Sequence, residues 1–323
     1  MKKEEFRIAS SNKTSRLFVT IWKPECEIRA IIQLSHGMID HVQRYDELAA
    51  HLTKRGFLVV GNDHIGHGRT ARTAKDYGYF EAGNNSSATE IVIKDLHRVM
   101  ITMKKQYPGL PYFLLGHSMG SFFARAFTLR YTSELNGALY LGTGDGPLSL
   151  LSLGQFMVKG LSLLLGWQHH CPFLSAALNT VNNRRCPPAE THSDWLTKDR
   201  KRVWEYLNDP YCQFNFSLNG YYVLLDILKQ IHLEECKRSN SPASCSLVLK
   251  KLPIAFFSGS MDPVGNYGKA VKTVYLRYKK MGCQNVYIKL YPTDRHEIFN
   301  ETDRKEVIRQ IDECLERFLR LAQ

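Results

Sequence analysis

No two of the eight cysteines stand at C-x-x-C spacing. Cys26, Cys171, Cys186, Cys212, Cys236, Cys245, Cys283 and Cys314 are scattered, which excludes a zinc ribbon and a thioredoxin-type redox pair. Such scatter in a chain of 323 residues reads as free thiols in a reducing compartment, behaving as small hydrophobes. Missing too is an apolar segment behind the start Met1-Lys2-Lys3-Glu4-Glu5-Phe6. No secretory leader is expected, and the chain reads as cytoplasmic. There is no internal repeat and no low-complexity stretch. The nearest approach to a membrane span is Leu148 to Trp167, and it carries Lys159 near its middle with Gln155, serines and glycines around it. A lysine at mid-bilayer costs roughly 2.5–3.5 kcal/mol, so the segment is read as non-spanning. Acidic charge is in short supply: 31 acidic residues face 43 basic ones, a net charge of +12. Basic clusters fall at Arg184-Arg185, Lys198 to Arg202, Lys250-Lys251 and Lys269 to Lys280. No nucleic-acid module accompanies them, so nucleic acid is not an expected partner. They fit a solvated basic face, or transient contact with an anionic membrane surface. Nothing in the sequence sets an oligomeric state.

What is present is an alternation of strands and helices. The length suits one large α/β domain with an insertion, or two ordinary domains. A hairpin is expected at Glu5–Ala9 and Leu17–Trp22, with a polar turn at Ser10–Thr14. Short apolar runs follow at Arg29–Leu34, Phe57–Gly61, Tyr112–Leu115, Ala138–Leu141, Ile254–Phe257 and Val286–Leu290. Unbroken runs of this kind mark parallel strands buried on both faces. Between them the 3.6-residue period groups Val42, Tyr45, Leu48, Ala49 and Leu52 on one helix face, and Val92, Leu96, Val99, Met103 and Tyr107 on another. It also groups Ile308, Ile311, Leu315, Phe318 and Ala322 on a last helix. The order predicts a mostly parallel eight-stranded sheet with helices on both faces. The alternation breaks between Gly146 and about Phe216, where Cys171-Pro172 and Pro187-Pro188 punctuate a helix-like, aromatic stretch. We read residues 1–146 and 217–323 as the core, and 147–216 as a helical cap over the carboxyl ends of the strands, where α/β folds place their sites.

The most informative motif is Gly116-His117-Ser118-Met119-Gly120, which follows the run Tyr112–Leu115 and precedes a helix-like run from Ser121 to Tyr131. By itself the pattern arises by chance in a chain this long about one time in ten. Between a strand and a helix it is a nucleophile elbow, whose glycines leave room for the sharp turn that lifts the serine hydroxyl clear. A serine hydroxyl needs a base, and the base needs an orienting carboxylate, in chain order Ser, Asp or Glu, His. Of His169, His170, His192, His232 and His296, only His296 lies beyond the last strand and before the final helix. Asp145 and Asp262 both satisfy the order. Asp262 is favoured because its loop neighbours that of His296; Asp145, flanked by glycines, reads as a turn residue. The oxyanion donors are expected to be the backbone N–H of Met119 and of Met38, the latter in the loop Ser35–His41 after the strand Arg29–Leu34. Asp63, His64 and His67 resemble metal ligands in type, yet a serine triad needs no metal, and the stretch reads as a tight glycine loop, with no metal expected. His117 reads as structural.

These residues resemble the monoacylglycerol lipase and lysophospholipase branch of the α/β-hydrolase superfamily, which also includes serine aminopeptidase-like members. The resemblance rests on His36-Gly37-Met38…His41…Arg44-Tyr45, Asp63-x-x-Gly66-His67-Gly68, the Gly116–Gly120 elbow, Asp262-Pro263-Val264-Gly265 and Arg295-His296-Glu297. It implies a Ser118–Asp262–His296 triad, an acyl-enzyme mechanism on carboxylic esters and no cofactor. Asp40 stands where the family often has Glu, and Thr293-Asp294 stand where a small residue is common; neither removes a catalytic group. The cap matches less specifically. Its apolar residues, among them Leu148, Leu151, Phe156, Leu163, Leu164 and Trp167, suit either an acyl chain or packing against the core. A lipid monoester with one acyl chain is the expected substrate. A small-ester carboxylesterase, an aminopeptidase using Glu190, Asp194, Asp199, Glu205 or Asp209, and a non-catalytic ligand-binding protein are the alternatives.

Overall fold

The computed structural model describes residues 1–83, 87–186 and 189–322; Pro187-Pro188 lie outside them. In chain order the elements are β1 (Lys2–Ala9), β2 (Arg16–Lys23), β3 (Ala30–Ser35), α1 (Asp46–Lys54), β4 (Phe57–Asn62), α2 (Ala88–Gln106), β5 (Tyr112–His117), α3 (Met119–Arg130) and β6 (Gly137–Leu141). Then come α4 (Leu148–Leu165), α5 (Pro172–Asn183), α6 (Arg200–Asn208), α7 (Leu218–Asn240), α8 (Leu247–Lys251), β7 (Ile254–Gly259), α9 (Lys269–Lys280), β8 (Val286–Tyr291) and α10 (Arg304–Ala322). The eight strands form one sheet in the order β1-β2-β4-β3-β5-β6-β7-β8. β1 pairs antiparallel with β2, and β2 antiparallel with β4; all other pairs are parallel.

Successive strand residues feed opposite cores. Ile31 and Leu114 pack with residues of α2, α3, α7 and α9, whereas Ile32 and Leu115 pack with those of α1 and α10. This two-sided burial is why the inner strands read as unbroken apolar runs. α10 shows the opposite economy: Ile308, Ile311, Leu315 and Phe318 are buried along one stripe, each contributing roughly 1.5–3 kcal/mol. Two readings shift. β1 begins at Lys2 rather than Glu5, because its first residues are charged and it pairs through its backbone, Lys2 opposite Lys23. The stretch Val42–Leu52 is a 3-10 turn, Val42–Tyr45, followed by α1.

The chain passes from β3 outward to β4, then crosses back to β5 on the other side of β3. The carboxyl ends of β3 and β5 therefore flank the point where strand order reverses, the crevice in which open α/β sheets bind ligands. Residues between β6 and α7 supply α4, α5 and α6. α4 packs on α7 through Leu151, Gln155, Val158 and Ser162, and Gln155 accepts from Lys229 Nζ (3.1 Å) and donates to Asp226 Oδ1 (3.2 Å).

Candidate active site

Ser118 sits alone between the end of β5 and the start of α3, with φ 53° and ψ −125°. A side-chain-bearing residue holds such a backbone only where its surroundings fix it. Here its N–H donates to Leu141 O (3.0 Å), and its carbonyl accepts from Ser121 N (2.8 Å) and Ser121 Oγ (2.6 Å). Gly120 permits the close approach of the helix to β3: a Cβ there would stand 2.0 Å from Ser35 O. Ser118 lines a cavity of about 590 Å³ that it shares with His296, Met38 and Met119. Among the described residues its hydroxyl makes no hydrogen bond. Such contacts are often long before substrate binds.

β7 and β8 are neighbours, so the loops at their carboxyl ends lie side by side. The first carries Asp262 and the second His296, and both side chains are buried. His296 Nδ1 donates to Asp262 Oδ1 at 2.9 Å, which leaves Nε2 as the basic nitrogen. Asp262 is held by Val264 N (2.9 Å) and Ser258 Oγ (3.1 Å). Gly142, at φ +54°, lies against the imidazole; a Cβ there would be 3.1 Å from His296 Cε1. The His117 ring lies 4.8 Å from that of His296. Burial, aided by His296, pushes the His117 imidazole down to about 4, so it is neutral.

Asp145 also lines the cavity but bonds away from His296, and its carboxylate is more than a turn device. It accepts from His232 Nδ1 (3.1 Å) and pairs with Arg277 Nη2 (2.7 Å). Burial would raise its carboxyl, but Arg125 and Arg277 override that and hold it below the ordinary value. Behind it stands a fully buried pair that the sequence did not reveal. Arg125 donates to Glu235 through Nε (2.9 Å) and Nη2 (2.7 Å), and to Gly144 O through Nη1 (2.7 Å).

Met119 is the first residue of α3, so its N–H is one of the helix's unsatisfied donors. Met38 follows β3 and faces the same cavity. Its loop is tied down by Asp40, which accepts from Gly37 N (3.1 Å), Tyr45 OH (2.9 Å) and Arg44 Nη1 (3.0 Å). Arg44 also forks onto Glu297 at 2.8 and 2.7 Å. The network joins the loop of Met38 to the residue after His296. Burial alone would raise the Asp40 and Glu297 carboxyls; Arg44 overrides it, and both lie below their usual values.

His36 and the histidines of the glycine loop are each engaged through one or both ring nitrogens, while His64 Nδ1 and His67 Nε2 have no partner among the described residues. His36 Nε2 accepts from His64 N (2.9 Å), His64 Nε2 meets Ser35 Oγ (3.1 Å) and His67 Nδ1 donates to Ile65 O (3.0 Å). Asp63 accepts from Val42 N (2.9 Å) and Arg69 N (2.7 Å). Among the described residues one trio has metal-ligand character: His41, Asp209 and Cys212, with donor atoms within 4.8 Å of one another. His41 Nε2 is already bonded to Asp209 Oδ2 (2.8 Å), and burial holds the Cys212 thiol far above its ordinary value. That disfavours the thiolate a metal would need.

Segments between β6 and α7 close the cavity. Leu151 of α4, Leu178 and Asn179 of α5, Trp195, and Tyr206 of α6 line it opposite the core's Phe122 and Val264.

Residues 26–303 match the family model described as serine aminopeptidase, S33, a span that holds every motif quoted above. This chain belongs to the serine aminopeptidase S33 family. The S33 chain is 38% identical over 303 residues to a protein named monoglyceride lipase homolog from monkeypox virus, covering 92% of each. It is 24% identical over 299 residues to a monoacylglycerol lipase of Mycolicibacterium smegmatis, covering 91% of this chain and 90% of that one. A solved carboxyl esterase from Bacillus coagulans superposes with a TM-score of 0.85 at 28% identity, covering 99% of both chains. The S33 chain has the α/β-hydrolase fold.

Proposed function

We propose that the chain hydrolyses lipid monoesters with a single acyl chain, as a monoacylglycerol lipase or lysophospholipase does, through a Ser118–His296–Asp262 triad. The observation that carries this reading is the buried His296–Asp262 pair facing the same largely apolar cavity as the strained Ser118. His296 takes the proton of Ser118 as the hydroxyl attacks the ester carbonyl. The N–H groups of Met38 and Met119 receive the oxyanion, and His296 protonates the departing alcohol. Water then repeats the sequence and frees the acid. Residues 147–216 act as the cap. Leu151, Leu178, Phe122 and Val264 suit an acyl chain, while Asn182, His192 and Asn215 line the same cavity and offer the polar contacts an alcohol group needs.

The aminopeptidase reading finds little support. The acidic residues that would hold a substrate amine are already bonded: Glu190 to Arg200, Asp194 to Thr191, Asp199 to Arg304, Glu205 to Arg202 and Asp209 to His41.

We place the protein in the cytoplasm, peripheral to membranes. α4 is long and apolar enough to cross a bilayer by length and composition. Yet one side of it is bound to α7, and Leu150, Phe156, Met157, Leu163 and Leu164 face outward. A helix so arranged rests on a lipid surface rather than spanning it, and the net charge of +12 favours anionic headgroups.

The deciding experiment compares fatty-acid release from a long-chain monoacylglycerol with acetate release from p-nitrophenyl acetate, subtracting a Ser118→Ala blank. Strong preference for the long chain is expected. Preference for acetate would make the protein a small-ester esterase.

A further inference from the structure

The base loop is strapped to the region between β6 and α7 by the segment Ser193–Lys198. The backbone N–H of His296 donates to Trp195 O (3.4 Å), and that of Glu297 to Leu196 O (2.7 Å). Arg295 Nη1 reaches back to Asp194 O (2.6 Å) and Thr197 O (3.3 Å). Glu301 closes the clamp by accepting from Arg295 N (2.7 Å) and Lys198 N (3.0 Å). At the centre of the strap, the Trp195 indole lies on the imidazole of His296, ring centroids 5.0 Å apart and planes 39° from parallel. Trp195 is itself held. Its backbone N–H donates to Asn183 Oδ1 (2.8 Å) and its Nε1 to Asn179 Oδ1 (3.2 Å), two residues one turn apart on α5.

We infer that Trp195 is a positioning residue for the catalytic base, through which the α5 segment fixes His296 and stabilises its charged form. The inference rests on the triad reading above. The imidazole becomes imidazolium as Ser118 attacks, and a cation within about 6 Å of an indole face is attracted by it. The charged and titratable groups on the other sides of His296 are Asp262, hydrogen-bonded at Nδ1, and His117, its ring 4.8 Å away, with the Glu297–Arg44 pair next along the chain. Asp262 supplies orientation along one ring edge. Trp195 supplies both orientation and a favourable field at the ring.

The test is steady-state kinetics on a soluble monoester for Trp195→Leu and Trp195→Phe, beside Ser118→Ala and wild type. Trp195→Leu is expected to lower kcat about tenfold and to change KM less than twofold. With the indole gone the imidazolium is less stable, so it forms only at lower pH. The acid limb of the pH–rate profile then moves down by about half a pH unit. Trp195→Phe keeps an aromatic face and is expected to retain at least a third of wild-type kcat. A Trp195→Leu enzyme with altered KM but unchanged kcat and acid limb would make Trp195 a cavity wall only and overturn the inference. So would a Trp195→Phe variant that melts like wild type yet falls below a third of wild-type kcat, a comparison that decides even if the leucine variant folds poorly. Full activity in Ser118→Ala would instead overturn the triad itself.

Discussion

Replacing Arg125 by methionine keeps an unbranched apolar stem and removes the charge from a site that excludes water. Both Arg125 and Glu235 are 0% exposed. Breaking a buried ion pair by deleting one partner costs about 3–5 kcal/mol, because the other charge is left without compensation. Two considerations set the value here. Arg277 Nη1, 3.6 Å from Glu235 Oε2, softens the loss. Against that, Gly144 O loses its donor at 2.7 Å and Thr143 Oγ1 a weaker one at 3.3 Å. We expect about 4 kcal/mol, a fall in melting temperature of roughly 5–10 °C for a domain this size. Glu235→Leu should cost a similar amount. The double variant Arg125→Met/Glu235→Leu removes both charges and should lie within about 2 kcal/mol of wild type, since a buried pair replaced by apolar groups of similar volume is often nearly neutral. Urea unfolding of the four proteins at pH 7.5 gives the cycle directly. A double variant as unstable as the two single losses added together would refute the reasoning, for it would mean that shape rather than charge sets the cost. Gly144 and Asp145 line the cavity, so kcat of Arg125→Met should also fall, measured well below its melting temperature.

Asp262→Asn should lower kcat by about 10⁴-fold, because an amide no longer enforces the reactive imidazole tautomer, whereas Asp145→Asn should lose less than tenfold; equal losses in the same esterase assay would reopen the choice of acid. Stability should fall with acidity. Burial depresses the imidazoles of His36 and His67 to about 3 and that of His117 to about 4, so between pH 6.5 and 4 the unfolded chain binds protons that the folded chain refuses. At pH 5.5 each costs about 1.4 kcal/mol. Asp63, raised by burial to about 6, works the other way and returns about 1 kcal/mol, and His64, also pushed well down by burial, adds to the loss, so the net fall is at least about 3 kcal/mol between pH 7.5 and 5.5. Unchanged urea midpoints across that range would contradict this account.

The sequence made the sheet readable because each inner strand is buried on both faces, and a run such as Phe57–Gly61 has few other ways to be satisfied. The elbow and the pairing of His296 with Asp262 are legible for a different reason: the chemistry expected of them restricts residue type and order. What escaped notice was long-range and polar. Arg125 and Glu235 are 110 positions apart and neither stands in a motif. The Asp40–Arg44–Glu297 network joins two quoted motifs, yet nothing in their spacing says that they meet. Nothing in the spacing of Trp195 sets it apart from the other aromatics of residues 147–216; only the fold puts it on His296. For the leucines of α4 the sequence leaves acyl-chain wall and packing both open. Leu151 lines the cavity and Val158 packs inward, but Leu163 and Leu164 are 81% and 83% exposed, a division that hydrophobicity without a partner surface does not reveal.

β1 has a consequence for the molecule in solution rather than for its chemistry. An open sheet ends in strands whose outer N–H and C=O groups are unpaired, and such a border invites a foreign strand to add on. On this border stand Lys2, Lys3, Glu4, Glu5 and Arg7, most of them exposed. A strand joining there would have to strip water from ions along nearly its whole length. Immediately behind it, β2 presents Leu17, Phe18, Val19 and Ile21, all buried. β1 thus works as a charged hem that keeps the most sticky strand of the hairpin from templating growth. A clip that removed it would be expected to cause precipitation before it touched the chemistry at Ser118.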